Sequence, residues 1–340
     1  MTPMLTVLDR IPDSFLTVTA ASLHNVLPGP TLVHLPGRRA APVFVAALQH
    51  GNEDTGLKAL QRVLLKYQTQ PLPRALSFFV GNIEAATAGR RRLDHQPDYN
   101  RVWPGADTLG SPEHLMMNSI VDDMVRRGVF ASIDIHNNTG TNPIYACVSA
   151  LREPFLHLAT LFSRTVVHFR QPLGVQSAAF AEHCPAITVE CGKPGQVANE
   201  ARAAELIESA LGLDHFPAHR VLPQDIDLYH TVATVKVPPD VTFTFDAGAA
   251  DLRFAPTLDH LNFCDLPAGT RVAELVTARR HPLEVWSEDG RRVTEEFFET
   301  HGTELRLKRA VTPAMLTLDE EAIRLDCLCY LMQRIPLRRR

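Results

Sequence analysis

The chain has 340 residues, with 34 lysines and arginines against 38 aspartates and glutamates and a net charge of −4, so no long-range field draws it to nucleic acid or to an anionic membrane. Six cysteines without a Cys-x-x-Cys pair argue against a disulfide framework and against a thiolate zinc site. The length exceeds one average domain and suits two, and no run of about eighteen apolar residues is present to span a bilayer.

Asp9, Arg10 and Asp13 interrupt the N-terminal apolar stretch and remove the core of a secretory signal, so a reducing cytoplasm is the expected location. From there to about residue 215, short apolar runs alternate with helical periodicity, the signature of an α/β domain with a doubly wound, mostly parallel sheet. Strands are expected at 31–35, 43–48, 75–80, 129–135, 144–148 and 186–189, and helices at 56–66, 112–127, 154–163 and 199–211. From about Val221 the texture becomes strand-like, at 229–237, 241–245 and 271–276, with Pro, Gly and Asp between. Residues 221–340 are therefore expected to form a smaller, mostly β domain after a catalytic domain at 1–215. Arg338, Arg339 and Arg340 read as a solvated tail.

Chemistry-bearing residues gather where predicted strands end. His50 and Glu53 follow the run at 43–48, and His136 closes the run at 129–135. Two imidazoles and one carboxylate are the ligand set of a catalytic zinc with one position open, whereas a structural zinc wants four closed ligands. In open α/β sheets, the carboxyl ends of strands are where sites form. Glu190 stands in the same kind of position, before the turn-forming Cys191-Gly192-Lys193-Pro194-Gly195, and suits a general base.

Four stretches carry a resemblance: His50-Gly51-Asn52-Glu53-Asp54-Thr55-Gly56, Tyr99-Asn100-Arg101, Ile133-Asp134-Ile135-His136-Asn137-Asn138-Thr139 and Val189-Glu190-Cys191-Gly192-Lys193-Pro194. In order and spacing they resemble the motif set of the succinylglutamate desuccinylase/aspartoacylase family, hydrolases similar to zinc carboxypeptidases. Residues 259–269 also resemble part of that family's C-terminal β domain. The resemblance implies a zinc-carboxypeptidase-like domain, one Zn2+ per chain held by His50, Glu53 and His136, and hydrolysis of the amide between an acyl group and an amino acid. It further implies that Asp134 accepts a hydrogen bond from a ligand imidazole and fixes its tautomer. Glu190 would move the proton from the attacking water to the leaving amine, and Asn100 and Arg101 would hold the substrate's carboxylate.

Arg90-Arg91-Arg92 occupies the place of the family's carbonyl-polarising arginine, and Arg92 matches it best, after a one-residue insertion. Other positions depart from the pattern. Ten positions before Glu190, where aspartoacylases carry an arginine for an acidic substrate, stands Phe180, with Gln176, Ser177 and His183 nearby. Tyr330 lies in a segment that matches poorly, so the family's C-terminal tyrosine has no clear counterpart. The expected partner is a small N-acyl amino acid, with no nucleic acid or membrane; a homo-oligomer is left open. The alternatives are a carboxypeptidase acting on peptides and a catalytically silent zinc or metabolite binder.

Overall fold

A computed structural model describes residues 5–107, 110–277 and 282–336; the arginine tail at 338–340 lies outside them. The chain divides into two compact units, the first formed by Met1–Asn137 and Ile144–Asp227, the second by Asn138–Pro143 and Leu228–Arg338. Among the described residues no helix is long and apolar enough to cross a membrane.

Among the described residues the first unit carries eight strands: β1 (Thr6–Leu8), β2 (Thr31–Leu35), β3 (Val43–Ala47), β4 (Leu76–Val80), β5 (Ala131–His136), β6 (Tyr145–Val148), β7 (Thr165–His168) and β8 (Ala186–Glu190). Their order is β1-β2-β4-β3-β5-β8-β6-β7. The four strands β4, β3, β5 and β8 at its centre are parallel, while β2 runs antiparallel to β4 and β6 antiparallel to β8. Every residue of β3, β4 and β5 is buried, which explains why these strands read as continuous apolar runs without alternation. Short β1 and β7, three and four residues long, carry too little pattern to be expected from sequence.

The α-helices of its described residues are α1 (Thr55–Lys66), α2 (Ile83–Thr87), α3 (Pro112–Arg126), α4 (Glu153–Thr160), α5 (Gln176–Phe180) and α6 (Val197–Gly212). α1 packs along α6, and both lie on β3 and β5, whereas α5 rests on β5 and β8. At Gly56, in the first turn of α1, an added Cβ would sit 2.8 Å from the Ala47 Cβ and 3.2 Å from that of Ile135. That close approach fixes α1 against the same face of β3 and β5. α5 covers the opposite face, where the Gln176 side chain donates to Ser132 Oγ at 2.6 Å. The sheet is therefore wound on both sides.

The chain leaves β3 through α1 to reach β4 on one side, and β5 takes the place on the other side of β3. The loops after β3 and β5 begin on either side of that reversal, at the carboxyl ends of the strands, where sites form in open α/β sheets.

In the second unit, strand Asp227–Lys236 pairs antiparallel with Glu284–Ser287 and with Cys329–Arg334, which also pairs with Thr312–Ala314. A second sheet orders Phe243–Thr244, Leu252–Phe254, Arg271–Leu275, Glu304–Leu307 and Phe298–His301 around a core that includes Val235, Phe254, Leu283 and Leu305. The strand expected at 241–245 shrinks to Phe243–Thr244, because Thr244 Oγ1 and the Gly248 amide both donate to Asp246 Oδ1 at 2.7 Å and turn the chain.

Candidate metal centre and its surroundings

The turn after β3 is built to hold one histidine in a fixed place. Leu48 adopts a left-handed conformation with φ of 53°, which costs a side chain of this size about 1–2 kcal/mol. Neighbouring backbone compensates: Gly81 N donates to Ala47 O at 3.0 Å and Asn82 N to Leu48 O at 2.6 Å. Gly51 follows His50 because a Cβ there would lie 2.2 Å from the Ala85 and Ala86 backbone of α2. The histidine is thus clamped between the end of β4 and the start of α2.

Three buried side chains converge beyond the carboxyl ends of β3 and β5. His50 Nδ1 lies 2.8 Å from Glu53 Oε1, and His136 Nδ1 lies 2.8 Å from Glu53 Oε2. One donor atom from each of His50, Glu53 and His136 falls within 4.8 Å of the others. The Asn137 amide also donates to Glu53 Oε2 at 3.0 Å and keeps the carboxylate aimed inward.

Both outer nitrogens meet carboxylates. His136 Nε2 sits 2.9 Å from Asp134 Oδ2, and His50 Nε2 sits 3.0 Å from Asp98 Oδ1. Asp134 is held in turn by Asn100 Nδ2 at 3.1 Å and by the Gln49 amide, whose own oxygen accepts from Trp103 Nε1 at 2.6 Å. Asp98 is held by Arg91 Nη2 at 2.9 Å and by the Asn100 backbone amide at 2.8 Å. Each imidazole therefore presents Nδ1 to the centre while its Nε2 is fixed from behind, the arrangement that orients ligand histidines.

The electrostatics ask for a cation here. Burial works against a charged imidazole, yet Asp134 and Glu53 outweigh it and hold His136 well above its ordinary range. Burial also opposes the ionised forms of Glu53 and Asp98, but His50 and His136 keep the first, and His50 and Arg91 the second, well below the usual carboxylate range. In the metal-free protein, the proton favoured on His136 balances part of this negative charge. A divalent cation would replace that proton, because two neutral nitrogens and a carboxylate oxygen suit zinc and leave a fourth position open.

Glu190 stands beside the cluster as the direct cross-strand neighbour of His136. Its Oε2 is buried without a hydrogen-bond partner among the described residues. Burial pushes its carboxyl up to about 7, into the range in which a carboxylate can both take and return a proton near neutral pH.

Of the arginine run, Arg91 reaches the cluster: its Nη1 lies 3.6 Å from Glu53 Oε1, and its carbonyl accepts from Gly51 N at 3.0 Å, which ties it to the histidine turn. Arg92 donates instead to Gln96 O at 3.0 Å, and Arg90 pairs with Asp94 at 3.4 Å. Spacing alone could not separate the three, since a loop has no fixed period to say which side chain faces inward.

Asn100 is buried, and its side chain bridges Asp134 to the Gln176 amide, which donates to Asn100 Oδ1 at 3.0 Å. Its amide thereby positions Asp134. Arg101 donates to Asn100 O at 2.9 Å and is half-buried. Phe180 is fully buried, stacked on Phe44 at 4.9 Å and 6.0 Å from Trp103, so it packs the core.

Asp98 was not anticipated, although its place two residues before Asn100 was a usable signal. Asp98→Asn is expected to weaken metal affinity by about 10- to 100-fold, as loss of a histidine-orienting carboxylate does. Competition with a chelating dye would measure this, and an unchanged affinity would remove Asp98 from the histidine's support.

The model of the succinylglutamate desuccinylase/aspartoacylase catalytic domain matches residues 40–213. No curated protein matches in sequence. Among solved structures, the chain is similar in fold to murine aminoacylase 3, with 16% identity, a TM-score of 0.57, and coverage of 88% of this chain and 96% of that one. It is likewise similar to succinylglutamate desuccinylase from Chromobacterium violaceum, with 15% identity, a TM-score of 0.55, and coverage of 88% and 86%. A third is the product-bound ectoine utilization protein EutE (DoeB) from Ruegeria pomeroyi, with 14% identity, a TM-score of 0.55, and coverage of 89% and 88%.

Proposed function

The chain belongs to the succinylglutamate desuccinylase/aspartoacylase family, and from that premise we propose that it is a zinc-dependent hydrolase cleaving the amide of a small N-acyl amino acid. The observation that carries this reading is Glu190, a half-buried residue whose carboxyl is pushed up to about 7 and whose Oε2 has no partner among the described residues, next to three converging metal donors.

His50, Glu53 and His136 would hold the metal, with Asp98 and Asp134 fixing the two imidazoles. When bound there, zinc supplies Lewis acidity toward a carbonyl oxygen and brings the pKa of a water to about 7. Glu190 takes the proton of the attacking water and hands it to the departing amine, so one group serves as base and then as acid. Arg101 binds the carboxylate of the amino acid, supported by Asn100, whose buried amide sets the position of the loop. Arg91 takes the part expected for Arg92 and donates to the negative charge that develops on the carbonyl oxygen. Holding carboxylate and carbonyl at once makes attack effectively intramolecular, which supplies much of the acceleration.

The test is amine release by zinc-loaded protein from N-acetyl, N-formyl and N-succinyl amino acids and from dipeptides. Release from the acyl amino acids is expected. Dipeptide hydrolysis at matching rates would favour a carboxypeptidase, and tight binding without release in fully loaded protein would make the chain a silent binder.

A further inference from the structure

Behind His136 the direction of the hydrogen bonds is dictated from their outer ends. One end is Trp103, whose indole Nε1–H can donate and never accept. It donates to Gln49 Oε1 at 2.6 Å, and both residues are buried. With its oxygen taken, the Gln49 amide turns Nε2 the other way, to Asp134 Oδ1 and, at 3.4 Å, to Asn100 Oδ1. Turned over, the amide would set Nε2 against the indole N–H and its oxygen against two acceptors. A second donor-only group orients Asn100: the Gln176 backbone N–H donates to its Oδ1 at 3.0 Å and leaves Nδ2 for Asp134 Oδ2 at 3.1 Å.

Asp134 thus receives an N–H on each oxygen, and His136 Nε2, 2.9 Å from Oδ2, meets a carboxylate that can only accept. A neutral imidazole held this way keeps its hydrogen on Nε2 and its lone pair on Nδ1, the atom that lies 2.8 Å from Glu53 Oε2 in the cluster. A competitor stands close by. Asn100 Nδ2 is 3.0 Å from the same His136 Nε2, and a bond donated there would move the imidazole hydrogen to Nδ1 and block the metal position. The carboxylate wins only while it is kept near Nε2, and the Gln49 amide is what holds its far oxygen.

We infer that Gln49 and Trp103 are positioning residues for the metal, the indole fixing the amide and the amide fixing Asp134 so that His136 offers Nδ1. Trp103 also packs in the core, its ring 6.1 Å from Phe79 and 6.0 Å from Phe180, so its volume and its N–H are separate contributions. The inference rests on the metal reading above and is tested by affinity, not turnover.

Zinc affinity is measured by competition with a chelating dye. Gln49→Met keeps the length of the side chain and removes both polar contacts, and it is expected to weaken binding by about 10- to 100-fold. Trp103→Phe keeps most of the ring and removes the N–H, with an expected loss of about tenfold. Because Trp103 acts through Gln49, the double variant should bind no more weakly than Gln49→Met alone, whereas a packing role would make the two losses add. Phe79→Leu loosens the same ring cluster without touching a hydrogen bond and should lower stability but not affinity. Full affinity in Gln49→Met, or additive losses in the double variant, would overturn the inference. Should Trp103→Phe not fold, NMR on Trp286→Phe, which leaves Trp103 the one indole of the chain, decides the matter. Its indole N–H resonance is expected to shift when zinc is added, and a resonance indifferent to bound zinc would overturn the role of Trp103. Wild type that takes up no zinc would bring down the metal reading itself, and this inference with it.

Discussion

Glu190→Ala is expected to lower kcat by at least about 10²- to 10⁴-fold, the range of a general acid–base group, while zinc stays at one per chain. The two readouts separate because Glu190 is a neighbour of the cluster and not one of its three donors. Single-turnover kinetics with metal analysis on the same sample checks both. Zinc lost together with activity would make Glu190 a ligand and remove it as the base.

The same residue makes the acid limb of the pH profile. Activity needs Glu190 ionised, so kcat/KM should rise with pH toward a plateau, with its midpoint at or below about 7. A bound cation pulls it down from the metal-free position. In metal-free protein the linkage runs the other way. Between its ordinary value near 4.5 and about 7, the folded chain keeps a proton that the unfolded chain has released. Stability therefore falls as pH rises through that window. Glu190→Gln removes this slope and should be more stable than wild type above pH 7 by at most about 3 kcal/mol. Denaturation at pH 5 and pH 8 gives the comparison, and parallel behaviour of the two proteins would mean that the carboxyl is not perturbed by burial.

His136→Ala should release the metal and, with it, activity. Two of the three donors would remain, below the three protein ligands of a catalytic zinc site. The change also strips Asp134 and Glu53 of the partner each meets at 2.9 and 2.8 Å. Breaking a buried pair from one side costs about 3–5 kcal/mol, because the charge left behind loses its counter-charge without regaining water. Metal-free wild type should itself lose stability as pH rises through the elevated range of His136, where the folded chain gives up a proton already lost from the unfolded one. The alanine variant lacks that loss. Zinc at one per chain in His136→Ala would sink its role as a ligand.

Much of the fold was legible because the strands that matter are buried on both faces. Residues 43–47, 76–80 and 131–136 are mostly apolar runs with no strict alternation, broken only by Ser77, Ser132 and the site residues Asp134 and His136, and such runs announce a covered parallel sheet without any knowledge of partners. α1 and α3 were equally plain from their helical periodicity, and in the structure the Ser111 side chain starts the second by accepting from the His114 amide. Short α2 and α5 were not, since five residues carry no period.

At the site, sequence by itself pointed to His50, Glu53 and His136 as the donor set and to Glu190 beside it, because all four follow or close the apolar runs of β3, β5 and β8. Only the tertiary structure decided which groups stand behind the donors and which way each loop residue faces. Asp98 supports His50, Asn100 braces Asp134, Arg91 turns inward in place of Arg92, and Phe180 packs against Phe44 instead of meeting a ligand. The physical reason is the range of the interactions. A strand's alternation is local and can be read residue by residue, whereas a loop side chain's direction is set by a hydrogen bond to a segment many residues away, such as Gly51 N to Arg91 O, and that contact exists only once the chain has folded.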